Sequence, residues 1–266
     1  MSIQPILKFD LPEAVVITGT ASGLGESIAT LLNDSNVQVI GVDISQPNEV
    51  LKNLNHYTHV QGDITNNETW SNVKSLLAHS NYKRVGLVTC AAIVDVGSIL
   101  EADKTDIDRI ININIMGTIL AIQSVLPYMI ENKNGSIVIV GSVSSVFAEQ
   151  QLSLYGATKA AVTHLARTIA LDHSRQGIKA NIVHPGPMMT PMFKHHIETA
   201  DDPDLFYNTR AKRQPYGTIL EPVDVAKSAV FLLSSGSDAL CGTSIMADGG
   251  LSTGFDFRTG EEGTSI

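Results

Sequence analysis

Short β-branched runs separated by stretches of helix length constrain this chain more than any other feature. The runs fall at residues 14–18, 37–42, 59–60, 86–89, 136–140, 179–183 and 243–247. Most are apolar at nearly every position instead of at every second one. A strand has that character when helices cover both faces of its sheet. Helical periodicity lies between them, at 25–32, 68–78, 104–129, 155–174 and 222–233. Strand–helix alternation of this kind predicts an α/β fold, a doubly wound parallel sheet flanked by helices on both faces.

No repeat, low-complexity tract or Pro/Gly-rich linker divides the chain, so residues 1–266 are expected to form a single domain. Two segments break the rhythm. Residues 186–216 carry Pro187, Pro191, Pro203 and Pro215 and read as a long irregular insertion, a lid or binding loop. Residues 252–266 are rich in Gly, Thr and Glu and read as a poorly packed tail, or as an arm reaching a neighbouring subunit. Eighteen basic against twenty-seven acidic residues leave a net charge of −9, which argues against duplex nucleic acid or an anionic membrane surface as partner. The first twelve residues show no secretory pattern and no run of about eighteen apolar residues is found, so the expectation is a soluble, cytoplasmic protein without a membrane partner. Cys90 and Cys241 lack metal-ligand spacing and read as reduced, small fillers; no metal site is expected, and His195-His196 has no third ligand nearby.

The first strand runs into Thr18-Gly19-Thr20-Ala21-Ser22-Gly23-Leu24-Gly25. Glycines there let the backbone turn tightly and approach a pyrophosphate, which the following helix N-terminus attracts with its free N–H groups. Alone, this is an ordinary Gly-rich turn. The second strand, however, ends in Val42-Asp43, close to the spacing of the acid that binds an adenine ribose. A carboxylate there accepts from both ribose hydroxyls and repels a 2′-phosphate, and no Arg or Lys stands nearby to neutralise one. The reading is a Rossmann-like domain that binds NAD in preference to NADP.

Tyr155-Gly156-Ala157-Thr158-Lys159 places a phenol and an ammonium one helical turn apart. Taken alone, such a pair is usually a solvated helix face. As a functional pair, the positive charge would lower the Tyr155 pKa toward working pH and make it an acid/base. Ser142 follows the strand at 136–140, where a hydroxyl could polarise a carbonyl.

These residues, together with Gly62-Asp63-Ile64-Thr65, Asn114, Pro185-Gly186-Pro187-Met188-Met189-Thr190, Glu221-Pro222-Val223-Asp224-Val225-Ala226, Phe231-Leu232-Leu233-Ser234-Ser235 and Asp248-Gly249-Gly250, resemble the short-chain dehydrogenase/reductase family over about residues 13–251. The resemblance implies Tyr155 as the acid/base, Lys159 as its pKa-lowering partner and ribose ligand, and Ser142 as the group orienting the carbonyl or alcohol. It implies that Asn114 positions a water in a proton relay through Lys159; in its apolar run, Asn114 could equally be a satisfied buried polar group. Gly19, Ser22, Gly23, Leu24, Gly25, Asp43, Ala91 and Ala92 would line the cofactor, Asp63 and Ile64 would flank adenine, and Pro185, Gly186, Met188 and Thr190 would place the nicotinamide. Members are commonly tetramers, so a homotetramer or homodimer is expected. Thr89-Cys90-Ala91-Ala92 departs from the family's usual Asn-Asn-Ala-Gly, and Thr218 and Leu220 replace a usual Arg and Gly.

The substrate pocket would draw on Ile93, Val94, Asp95, Ser144, Phe147, Gln150, Gln151, Met188, Met189, Phe193, His195 and His196. Apolar walls with amide and imidazole groups fit a small polar alcohol or ketone: a polyol, sugar or hydroxy acid. Lys194, Arg210, Lys212 and Arg213 could meet an anionic group, although Glu198, Asp201, Asp202 and Asp204 cancel them locally. The alternatives are a 3-oxoacyl or ketosteroid-type carbonyl reductase and, outside enzymes, a catalytically silent NAD-binding sensor or scaffold.

Overall fold

Parallel strands cannot be joined by tight turns, so each needs a crossover, and the crossovers here are the helices that bury the sheet. The computed structural model describes residues 9–254, so most of the 252–266 tail lies outside the described residues. In chain order the elements are β1 (Ala14–Thr18), α1 (Gly23–Asp34), β2 (Gln38–Asp43), α2 (Glu49–Lys52), β3 (Tyr57–Gln61), α3 (Asn67–Ala78), β4 (Val85–Thr89) and α4 (Lys104–Ile111). A π-helical segment, Asn112–Gly117, leads into α5 (Thr118–Asn132), followed by β5 (Gly135–Val140), α6 (Ser153–His173) and β6 (Ile178–Pro185). The last elements are α7 (Pro191–Glu198), α8 (Pro203–Arg213), α9 (Pro222–Leu233) and β7 (Ser244–Ala247).

All seven strands pair in parallel in the order β3-β2-β1-β4-β5-β6-β7. The chain winds outward from β1 to β3, then returns to the other side of β1 to build β4 to β7. The order therefore reverses between β1 and β4, which opens a crevice at their carboxyl ends. Alternate residues of β1 serve opposite cores. Val16 joins Trp70, Val73 and Leu77 of α3, Val125 and Met129 of α5, and Val162 and Ala166 of α6 on one face. Val15 and Ile17 join Ile28 and Leu32 of α1 and Ala226, Ala229 and Leu233 of α9 on the other. Both faces are dry, as the near-continuous apolar strands require.

Two sequence expectations change. Residues 186–216 are not irregular: they hold α7 and α8, each opening on proline at its first position and capped by Thr190 on the Phe193 N–H and by Asp202 on the Leu205 N–H. Proline there presets φ and loses only an N–H that has no helical partner, so these prolines start helices instead of breaking them. The stretch expected as one helix at 104–129 is continuous but holds the π segment. The whole run Lys104–Asn132 is long and apolar enough, by length and composition, to cross a membrane; 44% of its most apolar window is buried inside the protein.

Ile28 is fully buried between α1 and the sheet. We expect Ile28→Ala to cost about 2–5 kcal/mol, because it removes a buried side chain from a packed face. A urea titration followed by the fluorescence of Trp70, the single tryptophan, should show a lower midpoint with an unchanged slope.

Candidate active site

The crevice begins where β1 ends. Gly19 has φ +74°, and a Cβ there would lie 2.7 Å from the Ala91 nitrogen; a Cβ on Gly25 would lie 2.1 Å from the Gly19 carbonyl oxygen. Only glycine fits either place. The segment after β4 closes on this loop, with the Ala91 N–H donating to Thr18 Oγ1 at 3.1 Å and with Ala91 and Ala92 half-buried. Helix α1 starts at Gly23, two residues before its expected start, and Ser22 at its N-cap makes no side-chain cap bond. Leu24 turns its side chain into the core against α9, so its contribution to the loop is its N–H.

Asp43 stands at the end of β2 with both carboxylate oxygens in use: Oδ2 accepts from the Ala21 N–H at 2.9 Å and Oδ1 from the Ser45 N–H at 2.8 Å. Each oxygen keeps a second lone pair. Thr20 is tied across to β3 through the Tyr57 hydroxyl at 2.9 Å, which also reaches His59 Nδ1 at 2.9 Å. Burial pushes the Tyr57 phenol up, the Thr20 bond works against this and the Asp43 charge adds to it. Tyr57 and Thr20 escaped the sequence reading. Gly41 was the available signal, since a Cβ there would lie 2.3 Å from the Tyr57 oxygen. Asp63 is exposed and holds its own turn, accepting from the N–H and hydroxyl of Thr65 at 2.8 Å each. Ile64 is buried against Gly117, and its carbonyl takes the Trp70 indole N–H at 2.7 Å.

Asn114 lies in the π segment, 2% exposed. Its Oδ1 accepts from the Ile93 N–H at 2.8 Å, and its Nδ2 donates to the Ile93 carbonyl at 2.9 Å and to Thr158 Oγ1 at 3.0 Å. The side chain is committed to holding the segment after β4 against α6. This favours the satisfied-polar-group reading for the side chain and leaves a relay only the backbone carbonyl, which already accepts from Thr118 Oγ1 at 2.9 Å. The π geometry has a local reason to persist, because the wide turn sets the Asn114 amide level with Ile93.

Ser142 follows β5, is 7% exposed, and accepts from the Ser144 N–H at 3.1 Å. Its carbonyl is held from behind by the fully buried His184 of β6, whose Nδ1 lies 3.0 Å away. The carbonyl can only accept, so Nδ1 carries the proton, and Nε2 takes a bond from Ser244 Oγ at 3.1 Å. Tyr155 and Lys159 stand in the first turns of α6 with the Lys159 ammonium 5.8 Å from the Tyr155 ring centre. Lys159 donates to the Val140 carbonyl at 2.8 Å. The structure thus brings Ser142, Tyr155 and Lys159 together at the strand edge that carries the glycine loop.

The electrostatics correct one expectation. Burial pushes the Tyr155 phenol up to about 12, with Ser142 working against the rise and the charge of Glu149 adding to it. Burial likewise holds Lys159 down near 8, which the neighbouring Cys90 opposes. Desolvation dominates at both groups, and the Tyr155 phenol stays protonated at neutral pH. The Cys90 thiol is itself pushed up to about 12 by burial, against the pull of Lys159.

The far wall is the 186–216 segment. Gly186 packs on Asp248, where a Cβ would lie 2.9 Å from its Cα, directly after Pro185 ends β6. Met188 and Met189 run beside Leu220, and Thr190 caps α7 while facing Gly23 of the loop. Phe193 lies 6.0 Å from Phe206, and the Arg210 guanidinium stacks 3.5 Å over the Phe206 ring. Gln150 is exposed; the adjacent Glu149, absent from the sequence reading, accepts from the Ser144 hydroxyl.

A family model described as enoyl-(acyl carrier protein) reductase matches residues 19–252. Dehydrogenase/reductase SDR family member 6 of Rattus norvegicus is 32% identical over 244 residues, covering 90% of this chain and 97% of that protein. Oxidoreductase UcpA of Escherichia coli K12 is 31% identical over 249 residues, covering 90% and 94%. Among solved structures, ligand-free aldohexose dehydrogenase of Thermoplasma acidophilum superposes with a TM-score of 0.84 at 30% identity over 94% of this chain and 98% of that one. ElxO with NADP bound superposes with a TM-score of 0.83 at 25% identity over 92% and 100%.

A buried lysine whose folded pKa lies near 8 against an ordinary 10.5 burdens the fold below pH 8, where it is charged in both states. Between those values the unfolded chain binds more protons, so this burden lifts as pH rises. We expect Lys159→Met to raise the melting temperature at pH 7. The gain should shrink steadily from about pH 8 toward 10.5 in a series of calorimetric scans.

Proposed function

Because this chain belongs to the short-chain dehydrogenase/reductase family of oxidoreductases, we propose that it transfers a hydride between NAD and a small polar secondary alcohol or ketone. The observation that carries the reading is the convergence of Ser142, Tyr155 and Lys159 on the edge occupied by the glycine loop. The loop suits a dinucleotide: Gly19 and Gly25 stand where a Cβ would strike backbone, and α1 lacks a side-chain cap at the end that faces the crevice. When bound, the nicotinamide ring supplies the hydride acceptor or donor.

The loop and the N–H groups at the start of α1 hold the pyrophosphate, and Asp43 holds the adenine ribose through its remaining lone pairs. Its charge disfavours a 2′-phosphate, and neither residues 18–25 nor residues 44–48 contain Lys or Arg. Ser142 fixes the substrate oxygen beside Tyr155. The phenol is protonated at neutral pH, the form that gives its proton to a ketone oxygen; in the opposite direction its phenolate takes the alcohol proton, beside the Lys159 ammonium. Ser144, Gln150, Met188 and Phe193 offer a mixed polar and apolar wall, and Arg210 gives hydroxy acids a counter-charge. The resemblance to an aldohexose dehydrogenase supports a sugar or polyol. The protein works as a homotetramer or homodimer in the cytoplasm; exposed Ile111, Met116 and Leu171 on the helices flanking the site support the assembly.

The enoyl-(acyl carrier protein) reductase model is described by an acyl-thioester substrate, and the match to it favours a second reading in which this chain reduces an acyl thioester, of which a 3-oxoacyl one presents the ketone this site could reduce. One assay separates them: NADH formation across polyols, sugars and hydroxy acids, beside oxidation of NADH and NADPH with 3-oxoacyl thioesters. We expect turnover in the first set, NAD favoured over NADP by about tenfold or more, and a loss of about 10²–10⁴ in kcat on Tyr155→Phe. Turnover confined to NADPH and thioesters would establish the second reading instead.

A further inference from the structure

Backbone pairing between the glycine loop and β2 ends at Gly19, whose N–H reaches the Val42 carbonyl at 2.8 Å. Beyond it, side chains tie the loop down. Val39, Gly41 and Asp43 of β2 stand beside Tyr57, His59 and Gln61 of β3, so all six lie on one face of the sheet. Gly41 leaves a gap in that row, and the Tyr57 phenol lies across it; a Cβ on Gly41 would come within 2.3 Å of the phenol oxygen. The hydroxyl thereby reaches the buried Thr20 Oγ1 at 2.9 Å and His59 Nδ1 at 2.9 Å. His59 Nε2 lies 3.0 Å from the Ser45 carbonyl. A carbonyl only accepts, so Nε2 carries the proton, and Nδ1 of the neutral ring accepts from Tyr57. With the phenol proton spent there, Thr20 is the donor to the phenol oxygen.

These bonds close a ring around Asp43. Thr20 directly precedes Ala21, whose N–H donates to Asp43 Oδ2 at 2.9 Å, while the Ser45 N–H donates to Oδ1 at 2.8 Å. Tyr57 and His59 thus join the two short segments whose N–H groups set the plane of the Asp43 carboxylate. We propose that Tyr57 is a specificity-determining positioning residue: by bridging Thr20 to His59 and Ser45, it fixes the Asp43 carboxylate in the orientation that accepts a ribose diol and opposes a 2′-phosphate. The proposal rests on the reading of the glycine loop and Asp43 as a dinucleotide site. Two N–H groups alone would leave the carboxylate as mobile as the loops that carry them. The ring removes that freedom before the cofactor arrives, so binding does not have to supply the ordering. Among the described residues the Thr20 hydroxyl has no other hydrogen-bond partner. Asn48 adds only a contact of 3.5 Å to the Ala21 carbonyl.

The test compares the parent protein with Tyr57→Phe, which keeps the ring over Gly41 and removes the hydroxyl, and with Thr20→Val, which keeps the shape at position 20 and breaks the same link. Calorimetric titration with ADP-ribose reads the adenosine end without hydride transfer. Fluorescence titration with NADH and NADPH reads the selectivity. We expect each variant to bind ADP-ribose and NADH about three- to tenfold more weakly, the worth of one hydrogen bond. NADPH affinity should hold, so the preference for NADH falls by the same factor. The double variant should bind no more weakly than the weaker single one, because both substitutions remove one link. Equal weakening of NADH and NADPH, an unaltered preference in either variant, or additive losses in the double variant would each overturn the proposal, since the ring would then only support the fold. None of these titrations needs a substrate. Parent protein that binds none of the three probes, or that prefers NADPH, would instead overturn the proposed NAD site and this inference with it.

Discussion

Everything at the working edge depends on one backbone contact, that of Gly19 with Ala91 where the sheet order reverses between β1 and β4. Two parallel strands whose crossovers leave in opposite directions diverge above their carboxyl ends, and some loop must line the gap. Here the turn after β1 presses on the segment after β4, with Thr18 Oγ1 fastening the Ala91 N–H. A side chain at position 19 would separate them. The same β4 segment is then clamped from the other side by the Asn114 amide on Ile93, and Asn114 in turn grips Thr158 between Tyr155 and Lys159. The glycine loop and the start of α6 are therefore parts of one hydrogen-bonded frame.

That frame explains why the replacement of the family's usual Asn-Asn-Ala-Gly by Thr89-Cys90-Ala91-Ala92 leaves the geometry in place. The residue whose Cβ would do harm is Gly19, on the opposite side of the contact, and the bonds that hold the segment are made by its backbone with Thr18 and Asn114. Cys90 consequently contributes volume and an apolar surround. The dry surround keeps Lys159 near 8 and Tyr155 near 12, so at neutral pH the fold bears the cost of a buried charge at Lys159 and none at the protonated phenol.

Legibility in the sequence followed how much of each feature was local. β1 and α9 were readable to the residue, because one is an unbroken apolar run ending in Thr-Gly and the other opens on Glu-Pro with an acid three positions on. β3 was reduced to residues 59–60, since it is half-exposed and polar at its ends. The π segment could not be seen, because an Ile/Asn run has the same composition whether its bonds run i→i+4 or i→i+5. In the site, Ser142, Tyr155 and Lys159 were found from strand-end position and helical spacing. Tyr57 and Glu149 were not, because their roles arise from contacts across elements: a phenol over Gly41, and a carboxylate folded back on Ser144.

The same distinction bears on specificity. The parts that handle cofactor and proton are held by backbone contacts and buried bonds, so their geometry does not depend on which substrate enters. The parts that meet a substrate belong to the 186–216 segment, where Phe193, Phe206 and Arg210 depend on each other by stacking. This segment joins the frame mainly where Met188 and Met189 run beside Leu220 and where Thr190 faces Gly23. Glu149 lies between the two systems, bonded to the Ser144 hydroxyl and electrostatically coupled to Arg210. A substitution within this segment can therefore alter what the site accepts while Ser142, Tyr155 and Lys159 keep their places.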